Sequence, residues 1–501
     1  MRTNHHWKTA LTVLCMHLLL ASALTAQRPQ RRGQVRRGPT RPATTAKPKE
    51  AAATKKKGPV TAIVGADIHT VSREVIRRGV ILVQDGKILD VGQDVKVPSG
   101  AKVIDAKGKY ISPGFVTMNM SRIGLSSSSR SGKVSDGLDP FDRNIKLALG
   151  VGITTGCVQV GGSSRRFRRR LPEDQYLGLD PEISLEQLPF NVDFGDPIAT
   201  SVCPCCGLPI LPTEPITPTR PTTSSQRKHL VLKMSFGELK NMLVTETPAY
   251  GMAASSLAGP LNRHNWRQSI EKAKRYLKDK AEYDKQVKAG KKLTAPRKSV
   301  SDDVLRLVKK EIYLRTEADS VDQIRDMIAL AKELDYKLML DNVSEGWLTA
   351  EELGEAKVPV VIVPRRFRSP SVGRENETGS SIETSGILEK AGVPFAVATL
   401  RSSISLNGLA GRDLTSLPLE AAFAVRGGAS EKAALAALTI VPAQMLGLED
   451  RIGSIDKGKD ADLLILDGPP LDYRTYVETA MVNGRVVYDR VKDRVYPVFE
   501  R

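Results

Sequence analysis

The chain has 501 residues, of which 41% are hydrophobic and 5% aromatic, and its formal net charge is +19. This hydrophobic content is sufficient for a packed core, so it excludes a chain that is too polar to fold. The length allows one large domain or two to three ordinary ones. Much of the positive charge lies near the N-terminus, so the remainder of the chain is only mildly basic.

The first 26 residues predict a secretory signal peptide. Arg2 and Lys8 supply a positive start, residues 10–20 form an apolar run, and small residues suited to cleavage follow at 21–26. The apolar run is short for a membrane span, although an uncleaved anchor is the alternative interpretation. We therefore expect a mature protein that is exported to the periplasm or the extracellular space.

Residues 27–57 predict a disordered basic linker. This segment holds six Arg, five Lys and one Glu, a net charge of +10, and very few large apolar residues. Such a composition cannot offset the entropy lost on ordering. The charge favours contact with an anionic envelope surface, such as lipid or cell-wall polymer. Nucleic acid is not an expected partner, because aromatic residues are not interleaved with the charges and an exported protein rarely meets it.

Short apolar segments with tight turns predict strands at both ends of the ordered chain. Asp85-Gly86 and Asn483-Gly484 are strong hairpin turns flanked by apolar runs. We expect residues 58–112 and 450–497 to form one composite β-sandwich built from both termini.

The middle of the chain, residues 113–449, alternates predicted strands and helices. Apolar spacing predicts a helix over 321–334, followed by a strand at 337–340, and further strand–helix pairs follow. Repeated units of this kind predict an α/β fold with a parallel (β/α)8 TIM-like barrel. Two stretches interrupt the pattern, namely a Pro-, Thr- and Cys-containing insertion at 165–226 and a Lys-rich, helical segment at 271–297.

Two segments carry a resemblance to a known family. The run at 434–448, followed by 452–455 and by 458–463, is similar to a signature of the amidohydrolase superfamily in its imidazolonepropionase-like branch. Residues 110–121, with the Pro113-Gly114 turn, look like the first barrel strand of that family. The resemblance covers roughly residues 59–488, apart from the two interruptions.

The resemblance implies a (β/α)8 barrel with a small β-sandwich, and hydrolysis of carbon–nitrogen bonds other than peptide bonds. It implies zinc or another divalent metal at the C-terminal ends of the barrel strands, where a metal-bound water attacks an amide or lactam carbon. By analogy with the family, a homodimer is expected.

The residues at the implied metal positions are unsuited to binding metal. The paired histidines of the family fall on Asn119 and Ser121, and a further histidine falls near Arg315 or Thr316. Another falls near Asp341 or Asn342, and the catalytic aspartate falls on Leu400. The six histidines of the chain include no His-x-His pair. We therefore predict a catalytically inactive pseudoenzyme, without a cofactor, that binds a small molecule at the barrel mouth.

Histidine and cysteine leave few other ligand sets. His69 is expected to have a structural role, and His229 and His264 are expected to have surface roles. Cys203, Cys205 and Cys206 form a dense cluster that is a weak candidate for a zinc site, with His229 or Cys157 as a fourth ligand. In an oxidising compartment a disulfide within the cluster, or from it to Cys157, is the favoured alternative.

A working enzyme remains the alternative hypothesis. Glu317 and Asp341 follow predicted strand ends, where an acid/base pair would lie in a barrel, and Lys233 falls near a lysine position of the family. In this hypothesis the chain hydrolyses a cyclic amide or amidine through a non-standard metal or acid/base site.

Overall fold

The computed structural model describes residues 58–121, 123–126, 134–160, 228–374, 377–405 and 413–496. These residues form a mixed α/β fold. The predicted signal peptide, the basic linker and the cysteine cluster at Cys203, Cys205 and Cys206 lie outside the described residues. Among the described residues, no helix combines the length and apolar character needed to cross a membrane.

The strands are numbered in chain order. They are β1 (Thr61–Ile68), β2 (Ile76–Gln84), β3 (Lys87–Gly92), β4 (Lys102–Asp105), β5 (Tyr110–Pro113), β6 (Phe115–Met120), β7 (Ile153–Val160), β8 (Lys228–Lys233), β9 (Leu243–Glu246), β10 (Ala249–Gly251), β11 (Tyr313–Glu317), β12 (Leu338–Asp341), β13 (Val360–Ile362), β14 (Phe395–Val397), β15 (Leu463–Leu466), β16 (Val477–Val482) and β17 (Arg485–Asp489).

The α-helices are numbered in the same way. They are α1 (Arg143–Gly150), α2 (Pro260–Lys288), α3 (Asp302–Val308), α4 (Val321–Leu334), α5 (Ala350–Glu355), α6 (Thr384–Lys390), α7 (Leu417–Arg426), α8 (Glu431–Ala436), α9 (Ile440–Met445) and α10 (Arg490–Asp493).

Strands from both ends of the chain share one sheet. Its order is β17-β16-β15-β5-β1-β2-β3, and β4 pairs with β1. The C-terminal strand β15 pairs antiparallel with β5, so that Ile465 lies opposite Ile111. Both predicted hairpins are present, and Asp85 and Asn483 adopt the positive φ angles of 51° and 49° that these turns require. The described strands of both termini form this one sheet, and the two-layer β-sandwich expected for residues 58–112 and 450–497 stays a prediction.

The middle of the chain forms two further sheets. Strands β10 to β14 are parallel neighbours in chain order, as the alternating pattern predicts. Strands β6 to β9 form a mixed sheet, in which β6 and β7 are parallel but β8 runs antiparallel to both β7 and β9. The expected fully parallel arrangement is therefore wrong at β8. The short connection between β8 and β9 allows these two strands to pair antiparallel, whereas the residues that join β7 to β8 lie outside the described part of the chain.

Side chains alternate between two apolar layers along the parallel strands. Val361 of β13 and Ala396 of β14 join Met118 of β6 in one interior cluster. The flanking residues of β13 and β14, such as Val360 and Val397, join the larger cluster that also contains helix residues. Burial on both faces is typical of a parallel sheet covered by helices. The interior cluster draws on strands of both middle sheets.

Helix α4 has the predicted bounds. The Ser320 side chain caps its first turn by accepting a hydrogen bond from the Gln323 N–H group, and Ile324 and Met327 lie on its buried face. Helix α2 differs from the prediction, because it begins at Pro260 and ends at Lys288. Proline is favoured in the first turn of a helix, and the buried Trp266 anchors this end.

Candidate functional site

A buried arginine lies at the strand ends where the resemblance implies a metal. Arg315 of β11 is 2% exposed. Its Nε donates to both carboxylate oxygens of Asp341 on β12, at 2.8 and 3.1 Å. One terminal nitrogen donates to Asn119 Oδ1 at 2.8 Å, and the other lies 3.6 Å from Cys157 Sγ. We call these four residues the arginine network.

A local irregularity in β6 accompanies this arrangement. Thr117 pairs with Gly156 and Met120 pairs with Val158, so β6 carries one more residue than β7 over this interval. The extra residue is a β-bulge, a feature that redirects side chains near sheet ends. Met118 joins the interior cluster while the adjacent Asn119 reaches Arg315.

Burial and charge determine the protonation states within the network. Burial acts to lower the pKa of the Arg315 guanidinium, but its interactions with Asp341 and Cys157 together outweigh burial and raise the pKa. Burial raises the pKa of the Cys157 thiol, although Arg315 acts in the opposite direction. The network therefore contains a permanent cation and a neutral thiol.

A small polar cavity adjoins the network at the same strand ends, and we call it the strand-end cavity. Its volume is about 50 Å³, and its lining residues are Asn119, Gln159, His229, Gly251, Met252, Arg315, Thr316, Glu317, Asp341 and Asn342. Since one buried water needs a cavity of roughly 10–15 Å³, the strand-end cavity has room for a few waters or a very small ligand.

The structure brings together several of the predicted site residues. Asn119, Thr316, Glu317 and Asp341 all line the strand-end cavity. Thr316 is 2% exposed, and its hydroxyl has no hydrogen-bond partner among the described residues.

Two predicted positions do not line the strand-end cavity. The backbone N–H group of Ser121 donates to the Ser402 carbonyl at 2.7 Å. Leu400 follows β14 and is 37% exposed.

The predicted surface role of His229 is wrong. His229 belongs to β8, is 6% exposed and lines the strand-end cavity. Its placement follows from the antiparallel pairing of β8 with β7, which sets His229 opposite Gln159. Gln159 was not among the predicted site residues, and only its position near the end of a predicted strand points to it. His264 is exposed on α2, where its ring contacts Gln268, and His69 directly follows β1.

Lys233 does not line the strand-end cavity. It lies at the other end of β8, completely buried, with Nζ 2.8 Å from Asp460 Oδ2 and 2.9 Å from Asp462 Oδ2. Its third neighbour is Asn483 Oδ1 at 2.5 Å. Both aspartates belong to the 458–463 signature segment, so this part of the signature joins β8 to the sheet built from both termini.

A second ion-pair network holds the loops that follow β11, β12 and β13. Glu345 is 2% exposed and accepts hydrogen bonds from Arg368 Nε at 2.9 Å and from the N–H groups of Gly379 and Val321. Arg368 also pairs with Asp319 at 3.2 Å. Burial acts to raise the pKa of Glu345, but these three donors outweigh it and lower the pKa.

Comparison with known proteins finds similarity to one family. Residues 303–498 match the model described as the amidohydrolase family. The chain is 29% identical over 218 residues to imidazolonepropionase of Clostridium tetani strain Massachusetts / E88. The crystal structure of an amidohydrolase from Thermotoga maritima MSB8 is similar with a TM-score of 0.58 and 23% identity, over 86% of this chain and all of that chain. The chain is similar to proteins of the amidohydrolase superfamily.

This similarity supports the fold more strongly than it supports an activity. The likeness to the Thermotoga maritima structure supports a TIM-barrel-type α/β fold. The match to the Clostridium tetani enzyme covers 38% of this chain and 51% of the relative, so the chain spans about half of that relative's length. The family typically uses a divalent metal.

The residues at the strand ends do not fit a divalent metal. Both carboxylate oxygens of Asp341 accept hydrogen bonds from Arg315 Nε, and the remaining neighbours of the guanidinium are an amide oxygen and a neutral thiol. A metal ion placed among these groups would face a permanent cation in a poorly solvated site. Within the described ranges, three or more His, Cys, Asp or Glu side chains do not gather in a way that could hold a metal ion.

Proposed function

We propose that this chain is an amidohydrolase-fold protein in which a buried arginine has replaced the catalytic metal, so that it binds a small polar ligand without hydrolysing it. The observation that carries the proposal is the position of Arg315 between Asn119, Cys157 and Asp341. The guanidinium supplies the positive charge that a metal would supply to Asp341, but it has no open coordination position and cannot activate a water.

The size of the strand-end cavity supports a binding role for a very small ligand. Its volume of about 50 Å³ is far below the ~300–1,000 Å³ typical of sites for drug-sized ligands. Its lining is rich in amide, carboxylate, hydroxyl and imidazole groups. Such a surface suits a compact polar molecule that both donates and accepts hydrogen bonds.

The test is the metal content and activity of the full chain, purified without a histidine tag. After zinc soaking and desalting, we expect less than about a tenth of an equivalent of any transition metal, well below the full occupancy of a structural or catalytic zinc site. The matched control is the triple variant Cys203→Ser, Cys205→Ser, Cys206→Ser. A full equivalent of metal that persists in this variant, together with hydrolysis of a cyclic amide, would refute the proposal.

A second candidate function is an active hydrolase without a standard metal site. It is favoured by the convergence of His229, Glu317 and Asp341 on one cavity, because these residue types serve as general acids and bases. It also agrees with the catalytic name of the Clostridium tetani relative. In this function the chain would hydrolyse a cyclic amide or amidine.

Chelator-treated protein separates the two candidates. Under the second candidate, hydrolysis persists in the presence of a strong chelator and is lost in Glu317→Gln. Under the first, neither the parent chain nor Glu317→Gln turns over a cyclic amide, and both retain the fold by circular dichroism.

We also propose that the protein is exported and meets an anionic envelope surface through residues 27–57. The support is the signal-like pattern of residues 1–26 and the +10 charge of the following segment. N-terminal sequencing of secreted protein should begin near Gln27. Deleting residues 27–57 should abolish sedimentation with anionic vesicles, and equal sedimentation of the deletion variant would contradict the proposal.

A homodimer, proposed by family analogy, is tested by the mass in solution.

A further inference from the structure

The buried cluster around Lys233 contains a carboxamide whose nitrogen is not accounted for by the salt bridges of the cluster. Lys233 Nζ contacts two carboxylates and one carboxamide, and the lysine is completely buried. The carboxamide belongs to Asn483, in the turn between β16 and β17. Its Nδ2 is buried and has no hydrogen-bond partner among the described residues. A buried, unpaired amide nitrogen is unfavourable and therefore calls for an explanation.

The two carboxylates have different surroundings. Asp460 accepts hydrogen bonds or ion pairs from Lys87 and Arg451 as well as from Lys233. Burial acts to raise the pKa of Asp460, but hydrogen bonds from Lys233 and Lys87 outweigh it and hold the pKa at about 2. Asp460 therefore has two cationic partners besides Lys233.

Asp462 is the carboxylate suited to take a proton from Lys233. Among the described cations, its ion-pair partner is Lys233 alone, at 2.9 Å. Moving the proton from Lys233 to Asp462 Oδ2 converts a buried ion pair into a buried neutral pair, which a poorly solvated environment favours. The transfer produces a neutral amine 2.5 Å from the Asn483 carboxamide oxygen.

The backbone holds Asn483 in place for a reaction. Its N–H group donates to Asp462 Oδ1 at 2.8 Å, so the same carboxylate touches both Lys233 and the asparagine. A cleft of about 540 Å³, bordered by Asp460, Asn483, Lys87 and Arg451, adjoins the cluster and offers a path for a small leaving group.

We propose that Lys233 and Asn483 join in an intramolecular isopeptide bond. Neutral Lys233 Nζ attacks Asn483 Cγ, the new carbon–nitrogen bond forms, and the Cγ–Nδ2 bond breaks. Two of the three original ammonium protons pass through Asp462 to Nδ2, which leaves as ammonium, and Asp462 is ionised again at the end. The balance is one ammonium group plus one carboxamide giving one secondary amide plus one ammonium ion. The step needs neither an oxidant nor a cofactor.

The bond would join β8 to the hairpin of β16 and β17 across 250 residues of chain. A crosslink that closes so long a loop restricts the unfolded chain strongly. The linked form would also remove the buried, unpaired amide nitrogen of Asn483.

Mass spectrometry of the full chain tests the proposal. The intact mass should fall below the sequence mass by one ammonia, in addition to any loss of the N-terminal signal. Trypsin should fail to cleave after Lys233, and a branched peptide should join residues 229–240 to residues 475–485. An unchanged mass with normal cleavage after Lys233 would overturn the proposal.

The sequence Asn483-Gly484 provides a competing route to the same mass change. An asparagine followed by glycine can cyclise to a succinimide, which also loses ammonia but produces no branched peptide and hydrolyses in mild base. A mass loss without the branched peptide would therefore overturn the proposal as well. The Gly484 N–H group that would attack is engaged with the Ala461 carbonyl at 2.9 Å, which disfavours this route.

Two asparagine variants and one aspartate variant complete the test. Asn483→Gly keeps the positive φ of the turn and should restore the sequence mass. Asn241→Gly is the matched control, because Asn241 borders the same cleft with a φ of 66° and should leave the crosslink intact. Asp462→Asn should prevent the bond in folded protein, and an undiminished crosslink in that variant would refute the proton-carrying role.

Discussion

Replacing Arg315 with methionine tests whether the arginine network is the structural substitute for a metal. The substitution keeps most of the side-chain volume but removes the guanidinium from Asp341, whose side chain is only 13% exposed. Removing one partner of a buried ion pair costs roughly 3–5 kcal/mol, because a charge remains in a poorly solvated site. We expect Arg315→Met to lower the free energy of unfolding by that amount.

The assay is urea unfolding followed by circular dichroism. The double variant Arg315→Met, Asp341→Leu removes both charges and should recover most of the loss, since a buried pair replaced by apolar groups is often close to neutral. Arg325→Met is the matched control. Arg325 pairs with Glu352 at 2.7 Å, but both side chains are exposed, so the unfolding midpoint should stay where it is in the parent chain.

Two results would refute this reasoning. If Arg315→Met lost less than about 1 kcal/mol, the pair would behave as a surface ion pair and not as a buried one. If the loss of stability in the double variant equalled the sum of the losses in Arg315→Met and Asp341→Leu, the two residues would not act as a pair.

Three further predictions concern other parts of the chain. Folding lowers the pKa of Glu345, so ionised Glu345 should stabilise the fold fully above its ordinary pKa of 4.5, and this contribution should fade as the pH falls through the lowered pKa. In Glu345→Gln, the urea midpoint of unfolding should therefore depend less on pH between about pH 6 and about pH 3 than in the parent chain. Because burial raises its pKa, the Cys157 thiol should resist iodoacetamide until denaturant is added, as read by peptide mapping; labelling in the folded chain would contradict the described packing. Gly114→Ala would place a Cβ 2.0 Å from Thr154 Oγ1 and should cost about 1–3 kcal/mol in urea unfolding, whereas an unchanged midpoint would mean that β6 and β7 can separate there.

Several features of the molecule follow from the sequence alone. The helix over Val321–Leu334 and both hairpin turns were predictable, because their signals are local: apolar residues at helical spacing, and turn residues that tolerate positive φ angles. The resemblance to the amidohydrolase superfamily was also recognisable, since the segments that carry it are short and contiguous. The assignment of family ligand positions to Asn119, Ser121 and Leu400 rests on that resemblance and stays a prediction.

The tertiary structure decided which polar groups meet. Arg315 and Asn119 are 196 residues apart, and Lys233 and Asn483 are 250 residues apart. Local periodicity reports which residues are buried, but it does not report the pairing of strands that are distant in the chain. The antiparallel pairing of β8 places His229 in the strand-end cavity and Lys233 at the opposite end of the same strand. A strand's two ends serve different sites, and only the direction of the strand in its sheet determines which residue reaches which site.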